Sequence, residues 1–214
     1  MNDEEKITIY QVGDSIRDQI MGTMSDNVEY AVEAESYETM KKYLIDEEFD
    51  ILLEEPHFLT IRAKFPNSHE VANFSLCRTD HQYNTMQIGN ILDDLACRDF
   101  TINAIARDKD GNHIDPYNGI RDIRKRILRC VGSAEERIRE DPLRALRAVR
   151  FIVTKGFKPD DELLKVLQSS WIVELLKTLP TERVRQELDR TFSKDNVGTS
   201  DFLYNLESFI EAVE

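Results

Sequence analysis

The chain has 214 residues, 41% of them hydrophobic and 32% charged, with eight Gly, six Pro and three Cys. This balance excludes a collagen-like chain, low-complexity disorder and a disulfide scaffold, and no apolar run approaches the roughly 18 to 20 residues of a membrane span. The net charge of −13 also argues against a protein that simply coats nucleic acid. The opening MNDEEKITIY is acidic where a signal peptide would be basic and then apolar, so the sequence predicts a cytoplasmic chain. Cys77, Cys97 and Cys130 fit no C-x-x-C pattern and read as reduced thiols. The four His are scattered at 57, 69, 81 and 113 and suggest no metal cluster.

In chain order, KITIYQV alternates like a strand, and Asp14 to Met21 reads as a short helix stopped at Gly22. NVEYAVEA alternates again, and SYETMKKYLIDEEF has helical spacing. HFLTIRAKF and EVANFSLCR are two further strands about the turn Pro66-Asn67-Ser68. ILDDLACRDFTINAIARD follows with helical periodicity, then KDGN as a turn. Beyond residue 132 the reading is entirely helical. Ser133 and Glu136 have capping-box spacing and open a long helix that runs through Phe151 to Gly156. DELLKVLQSSWIVELLKTL is the next helix, closed by Pro180, and TERVRQELDRTF the one after. The tail places Phe202, Leu203, Leu206, Phe209 and Ile210 on one face, which either folds back onto the helical part or docks a second chain, including a second copy. The expected domains are 1–132 and 133–214.

Charge is uneven. Residues 1–60 carry sixteen acids against four bases, and residues 121–150 carry nine Arg and one Lys against five acids. A basic island in an acidic chain reads either as a site for an anionic ligand or as a solvated helix face.

The strongest segment is Cys97-Arg98-Asp99-Phe100-Thr101-Ile102-Asn103-Ala104. It is followed by Asp115-Pro116-Tyr117-Asn118-Gly119 with Asp122, by Glu140-Asp141-Pro142-Leu143-Arg144, and by Arg183 and Glu187. In that order and spacing, RDFTINA, DPYNG, EDPLRALRAVRF and RVRQEL resemble the class II tRNA nucleotidyltransferases, the CCA-adding enzymes and bacterial poly(A) polymerases. The resemblance covers about residues 8 to 192 and is strongest from residue 92. It implies an α+β fold: a nucleotidyltransferase head, with a mixed sheet and flanking helices, then an all-helical neck, with the nucleotide between them. The implied activity is transfer of a nucleoside monophosphate from ATP or CTP to an RNA 3′ end, such as that of tRNA.

The resemblance assigns roles residue by residue. Arg98 and Asp99 match the pair that holds the ribose, with Asn103 nearby. A carboxylate suits the 2′-OH, a donor that distinguishes RNA precursors. Asp115 and Gly119 match the hinge between head and neck. Asp141 and Arg144 match the pair that selects the base, and at i and i+3 they are expected on one helix face. Arg147 and Arg150 extend that face toward phosphate. Arg183 and Glu187 match a neck-stabilising pair. Gly13, Arg17 and Asp18 match the loop around the triphosphate, although Asp14 stands where the family has a second Gly. Cys97 stands where the family commonly has another Arg.

The family's metal-binding Asp-x-Asp falls on Asn27-Val28-Glu29, and its third carboxylate falls on Asn73. Glu29 is the expected surviving ligand, with Asp26 and Glu70 as alternatives that lie on the opposite face of their strands. Mg²⁺ prefers anionic oxygen in tight octahedral geometry, so the cofactor expectation is a weakened Mg²⁺ site. Two readings stand. One is an active nucleotidyltransferase, and the other is a nucleotide-binding pseudoenzyme or interaction protein. Family members continue into further helical domains that hold tRNA, which the chain as given does not contain. RNA binding is then expected to involve a short RNA or a partner chain, or else to be lost.

Overall fold

The computed structural model describes residues 7–23, 28–79, 87–193, 196, 199–201, 203–205 and 207. The chain divides into two units, one of residues 1–98 and 102–120, the other of 99–101 and 121–214. The change of unit at 120/121 comes before the boundary expected at 132, because the backbone between Arg121 and Gly132 pairs and packs with the helices after it.

The first unit is built on a seven-stranded mixed sheet. Its strands are β1 (Thr8–Val12), β2 (Val28–Glu33), β3 (Asp50–Glu55), β4 (Thr60–Lys64), β5 (Val71–Leu76), β6 (Ala106–Arg107) and β7 (His113–Ile114), in the order β3-β4-β5-β2-β1-β6-β7. β2 and β5 run parallel, and the pairs β1–β2, β4–β5 and β1–β6 are antiparallel. One face of the sheet packs on α2 (Tyr37–Asp46), whose N-cap Ser36 accepts from the Thr39 amide at 3.0 Å. Val32, Met40, Leu44, Ile61, Phe74 and Leu76 are fully buried there, each stabilising the fold by about 1.5–3 kcal/mol. Tyr30 stacks on Phe74 at 5.1 Å. The alternation of β2 and β5 leaves Glu29 and Asn73 on the other face.

Two departures from the expected elements have local causes. β3 was not legible because it is an edge strand with a bulge between Ile51 and Leu53, which leaves Leu52 and Leu53 both exposed and erases the alternation. The expected helix over 91–108 ends early. α3 (Ile91–Ala96), opened by an Asn90–Asp93 capping box, stops at Cys97, and the chain continues through a 3-10 turn at Thr101–Asn103 into β6. α1 (Asp14–Met21) matches its prediction, with Gly22 left-handed at its C-terminus (φ 78°).

The second unit is helical apart from a two-residue parallel ladder between β8 (Ile127–Leu128) and β9 (Lys158–Pro159), too short to leave a periodic signal. The chain enters it through α4 (Gly119–Lys125). The expected long helix is two helices, α5 (Ala134–Glu140) and α6 (Leu143–Lys155), because Pro142 has no amide to donate. Ser133 caps α5 and Gly156 closes α6, as expected. The stretch 161–179 also divides, into α7 (Asp161–Leu167) and α8 (Trp171–Leu176), before α9 (Thr181–Thr191).

Phe100, Phe151 and Phe157 form an edge-to-face series at 5.7 and 6.5 Å in the core of this unit. In the tail, Asn205 donates to the Val153 carbonyl at 3.4 Å. Leu203 is half exposed, and Phe202, Leu206, Phe209 and Ile210 lie outside the described residues. No helix among the described residues is long and apolar enough to cross a membrane.

Candidate functional site

In the first unit the sequence-predicted residues converge on the sheet face opposite α2. β1 ends at Val12, which pairs with Glu29, and the chain turns into α1 through Gly13 at φ 74°, ψ −137°. A Cβ at Gly13 would lie 2.9 Å from the Glu29 Oε2 and 3.2 Å from the Arg98 Nη1. Gly13, Glu29 and Arg98 therefore share one small space, and only the missing side chain lets the loop approach the other two.

Arg98 is held there by a residue the sequence reading passed over. Its Nε and Nη2 donate to the Asp94 Oδ2 at 3.0 and 2.8 Å, and its Nη1 donates to the Asn103 carbonyl at 3.3 Å. The i, i+4 spacing of Asp94 and Arg98 was the available signal.

Arg17 is 2% exposed and acts as a strut. Its Nε donates to Asp18 at 2.9 Å, and its Nη1 donates to Asp14 at 2.6 Å and to the Asn103 Oδ1 at 2.7 Å. Arg17 and Asn103 thus hold α1 to the 3-10 turn that follows Arg98. Asp14, at the position expected to repel a phosphate, has part of its charge offset by Arg17.

Asn73 pairs with Glu29 on the neighbouring strand, as the ungapped reading requires, and Arg62 pairs with Asn73 on its other side. Asp26 and Asn27 lie outside the described residues. A divalent cation is the group the family resemblance implies for this face. The described donors here are one carboxylate, Glu29, and one neutral amide, Asn73. Among the described residues no group of three or more His, Cys, Asp or Glu is placed to hold an ion. This set does not fit a hard dication that needs several anionic oxygens. Asp115, expected at the hinge, caps α4: its two carboxylate oxygens accept from the Gly119 and Ile120 amides at 2.6 and 3.0 Å.

In the second unit the residues are organised differently from expectation. Residues 99–101 join it by backbone pairing: the Thr101 amide donates to the Arg129 carbonyl, and the Val131 amide to the Asp99 carbonyl. Asp99 and Arg147 form an ion pair at 2.7 Å, so the expected ribose ligand and the expected phosphate ligand face each other.

Asp141 and Arg144 do not share a helix face. Asp141 sits extended in the break forced by Pro142, where its Oδ1 accepts from the Leu143 amide at 3.2 Å and its Oδ2 from Arg183 at 2.9 Å. Arg144, in the first turn of α6, donates to Glu140 at 2.9 Å and to the Arg137 carbonyl at 3.0 Å.

Arg183 and Glu187 do not pair with each other either. Glu187, 1% exposed, accepts from Arg150 at 2.5 Å and from Arg190 at 3.5 Å. An i, i+4 spacing permits a pair, but here both side chains find partners on other elements. Arg183 reaches the α5–α6 break, and Glu187 reaches α6. Arg150 is therefore a packing residue of the α6–α9 contact. Asp122, fully buried, accepts from the Thr101 hydroxyl at 2.9 Å and from the Arg129 Nε at 3.2 Å.

Cys77 and Cys130 are buried free thiols. Burial, reinforced by Asp94, pushes the Cys77 thiol far up, and burial with Asp99 pushes Cys130 up to about 12. Cys97 donates its thiol hydrogen to the Thr79 carbonyl at 3.0 Å. Neither Cys77 nor Cys130 has the lowered pKa of a nucleophilic cysteine.

A glycine loop after a first strand, facing an acidic residue on the next strand, defines a nucleotidyltransferase-type head followed by a helical unit. Residues 9–129 match the poly A polymerase head domain, and the chain belongs to this class II nucleotidyltransferase family. It is 32% identical over 210 residues to a CCA-adding enzyme of Streptococcus uberis, covering 95% of this chain and 49% of that protein. Its fold is similar to the crystal structure of the Bacillus stearothermophilus CCA-adding enzyme in complex with CTP, with a TM-score of 0.76 and 30% identity over 86% of this chain and 44% of that one. It is also similar to a tRNA nucleotidyltransferase complexed with a primer tRNA and an incoming ATP analog, with a TM-score of 0.76 and 28% identity over 96% and 57% of the two chains. The chain spans about half the length of the curated relatives it matches.

Proposed function

We propose that this chain binds ATP or CTP and transfers the nucleoside monophosphate to an RNA 3′ end, tRNA being the substrate class of its relatives. The observation that carries this reading is the convergence of Gly13, Glu29 and Arg98 on one face of the sheet. The Gly13 loop offers backbone to a triphosphate, and Arg98, fixed by Asp94 and the Asn103 carbonyl, brings a positive charge beside it. Arg17 and Asn103 act as positioning residues that hold the loop and the turn together. In the second unit Asp99 is assigned to the ribose, Asp141 and Arg144 to the base, and Arg147 to phosphate. In the ion pairs described above they are held in place, and a ligand would exchange those partners for its own polar groups.

One observation favours a second reading, a protein that binds nucleotide without turning it over. The partner of Glu29 across β2–β5 is Asn73, a neutral amide where the family places a carboxylate. In a reaction whose transition state gathers charge on phosphoryl oxygens, losing metal stabilisation costs several kcal/mol. At about 1.4 kcal/mol per tenfold, that is a thousandfold or more in rate.

Incubation with labelled CTP or ATP, Mg²⁺ or Mn²⁺, and tRNA lacking its 3′ end separates the two. Label transferred to RNA supports the enzyme, whereas nucleotide binding by calorimetry without transfer supports the second reading. Absence of any nucleotide binding would overturn both.

A further inference from the structure

We propose that the corner of the helical unit where α4, the end of α6 and β9 meet binds the phosphodiester backbone of RNA. The proposal rests on the reading of the chain as one that acts on RNA. Although the whole chain carries −13, residues 121–214 hold 18 Lys and Arg against 17 Asp and Glu, so the acidic excess belongs to residues 1–120. Within 121–150 the structure divides the basic island in two. Arg137, Arg139, Arg144, Arg147 and Arg150 are each paired with a carboxylate of this unit.

The other part faces water. Arg121, Arg124 and Lys125, at i, i+3 and i+4, lie on one side of α4 and are all exposed. Arg126 follows at φ 56°, a backbone conformation that residues other than Gly, Asn and Asp seldom adopt. Its Nη1 donates to the Lys155 carbonyl at 2.7 Å, and its carbonyl accepts from the amide of exposed Lys158 at 2.7 Å. Three separate segments thus bring their cations to one corner.

The neighbouring acids offset little of this charge. Asp122 is fully buried and shared among Thr101, Arg129 and, at 3.6 Å, the edge of Arg121, while Asp160 is paired with Arg129 at 2.7 Å. Glu162 accepts from the Ala134 amide, and it and Asp161 are the exposed carboxylates at the border. Among the described residues, no carboxylate comes within 4.0 Å of the side-chain nitrogens of Arg124, Lys125, Arg126 or Lys158.

The chemistry favours a phosphodiester over an acidic protein. Three guanidinium forks match phosphate oxygens, and none of the large exposed hydrophobic side chains lies between residues 121 and 158. A protein interface would need such an anchor.

The test is fluorescence anisotropy of a single-stranded RNA oligonucleotide against salt concentration, for the wild type and for Arg124→Gln/Lys125→Gln/Lys158→Gln, with CTP calorimetry on both. Each cation that neutralises a phosphate contributes about 0.7 to the slope of log K against log salt for single strands. The triple substitution should therefore flatten the slope by about 2, with CTP affinity unchanged. Should the triple variant melt early, Arg124→Gln alone is expected to flatten it by about 0.7. Equal slopes in variant and wild type would overturn the proposal. Wild type that binds CTP but not RNA would overturn it while leaving the nucleotide reading standing, and wild type that binds neither would remove the reading beneath it. Substitution that abolishes binding to polyglutamate yet leaves RNA binding intact would assign the corner to an acidic protein instead.

Discussion

Replacing Gly13 by Ala tests the loop directly. At φ 74°, ψ −137° the backbone lies in territory that only Gly occupies at low cost, and a side chain there costs about 1–3 kcal/mol. The added Cβ would stand 2.9 Å from the Glu29 Oε2 and 3.2 Å from the Arg98 Nη1. Both are ends of flexible side chains, so they move rather than block folding. At about 2–4 °C per kcal/mol for a chain of this size, the melting temperature should fall by several degrees. Displacing Arg98 forfeits a charge-assisted hydrogen bond worth roughly 1.5–3 kcal/mol, which lowers CTP affinity roughly tenfold to a hundredfold.

Gly22→Ala is the control. Its φ is 78°, but nothing lies within 4 Å of the added Cβ, so it should lose stability with no change in CTP affinity. Calorimetry and thermal melts on the two variants decide the matter. Two variants that lose stability alike and bind CTP like wild type would refute the placement of the triphosphate at this loop.

Further outcomes follow from other sites. Glu187→Ala, which strands Arg150 at a buried position, should cost about 3 kcal/mol in urea denaturation, and Glu187→Gln clearly less, since it keeps an acceptor. With a thiol reagent at neutral pH, native protein should show Cys97 reacting first, with Cys77 and Cys130 protected until unfolding, since burial raises both thiols. Burial also raises Tyr10, Tyr30, Tyr37 and Tyr43, Tyr37 to about 12. Below pH 10 both states keep these protons. Above it the unfolded chain ionises first, so stability should fall as pH rises from 10 through about 12, read as tyrosinate absorbance that lags in native protein. Thermal melts with and without millimolar Mg²⁺ should coincide, because a ligand raises stability only where the native state binds it.

Local chemistry made part of this molecule legible. α1 could be placed from its amphipathic spacing and Gly22, and β2 and β5 from alternation. Counting along those two strands led to Glu29 beside Asn73, because a period of two leaves little freedom once one face is apolar. Illegible features were those set by distant partners. Arg183 and Asp141 are 42 residues apart, and no spacing rule connects them. Pro142 was visible as a residue, but the apolar periodicity runs straight through it, and the break emerged only with the turn that lets Asp141 cap Leu143. The edge strand β3 lacked a pattern because its bulge and exposure remove one.

The substitutions around the Gly13 loop share an electrostatic logic. Several carboxylates gathered on one strand face repel one another, and a bound dication normally offsets that repulsion. With the amide Asn73 paired beside Glu29, part of that repulsion is gone, and Glu29 stands near the Arg98 guanidinium across Gly13. Asp14 adds a charge at the loop, but Arg17 lies 2.6 Å away to receive it. Arg17 in turn is bound to Asp18 and Asn103, so the added acid is tied into the strut that orders the loop. The Asn73 and Asp14 substitutions therefore leave the unliganded head better balanced in charge. On the proposed reading, such a head is expected to hold a nucleotide by backbone and arginine contacts.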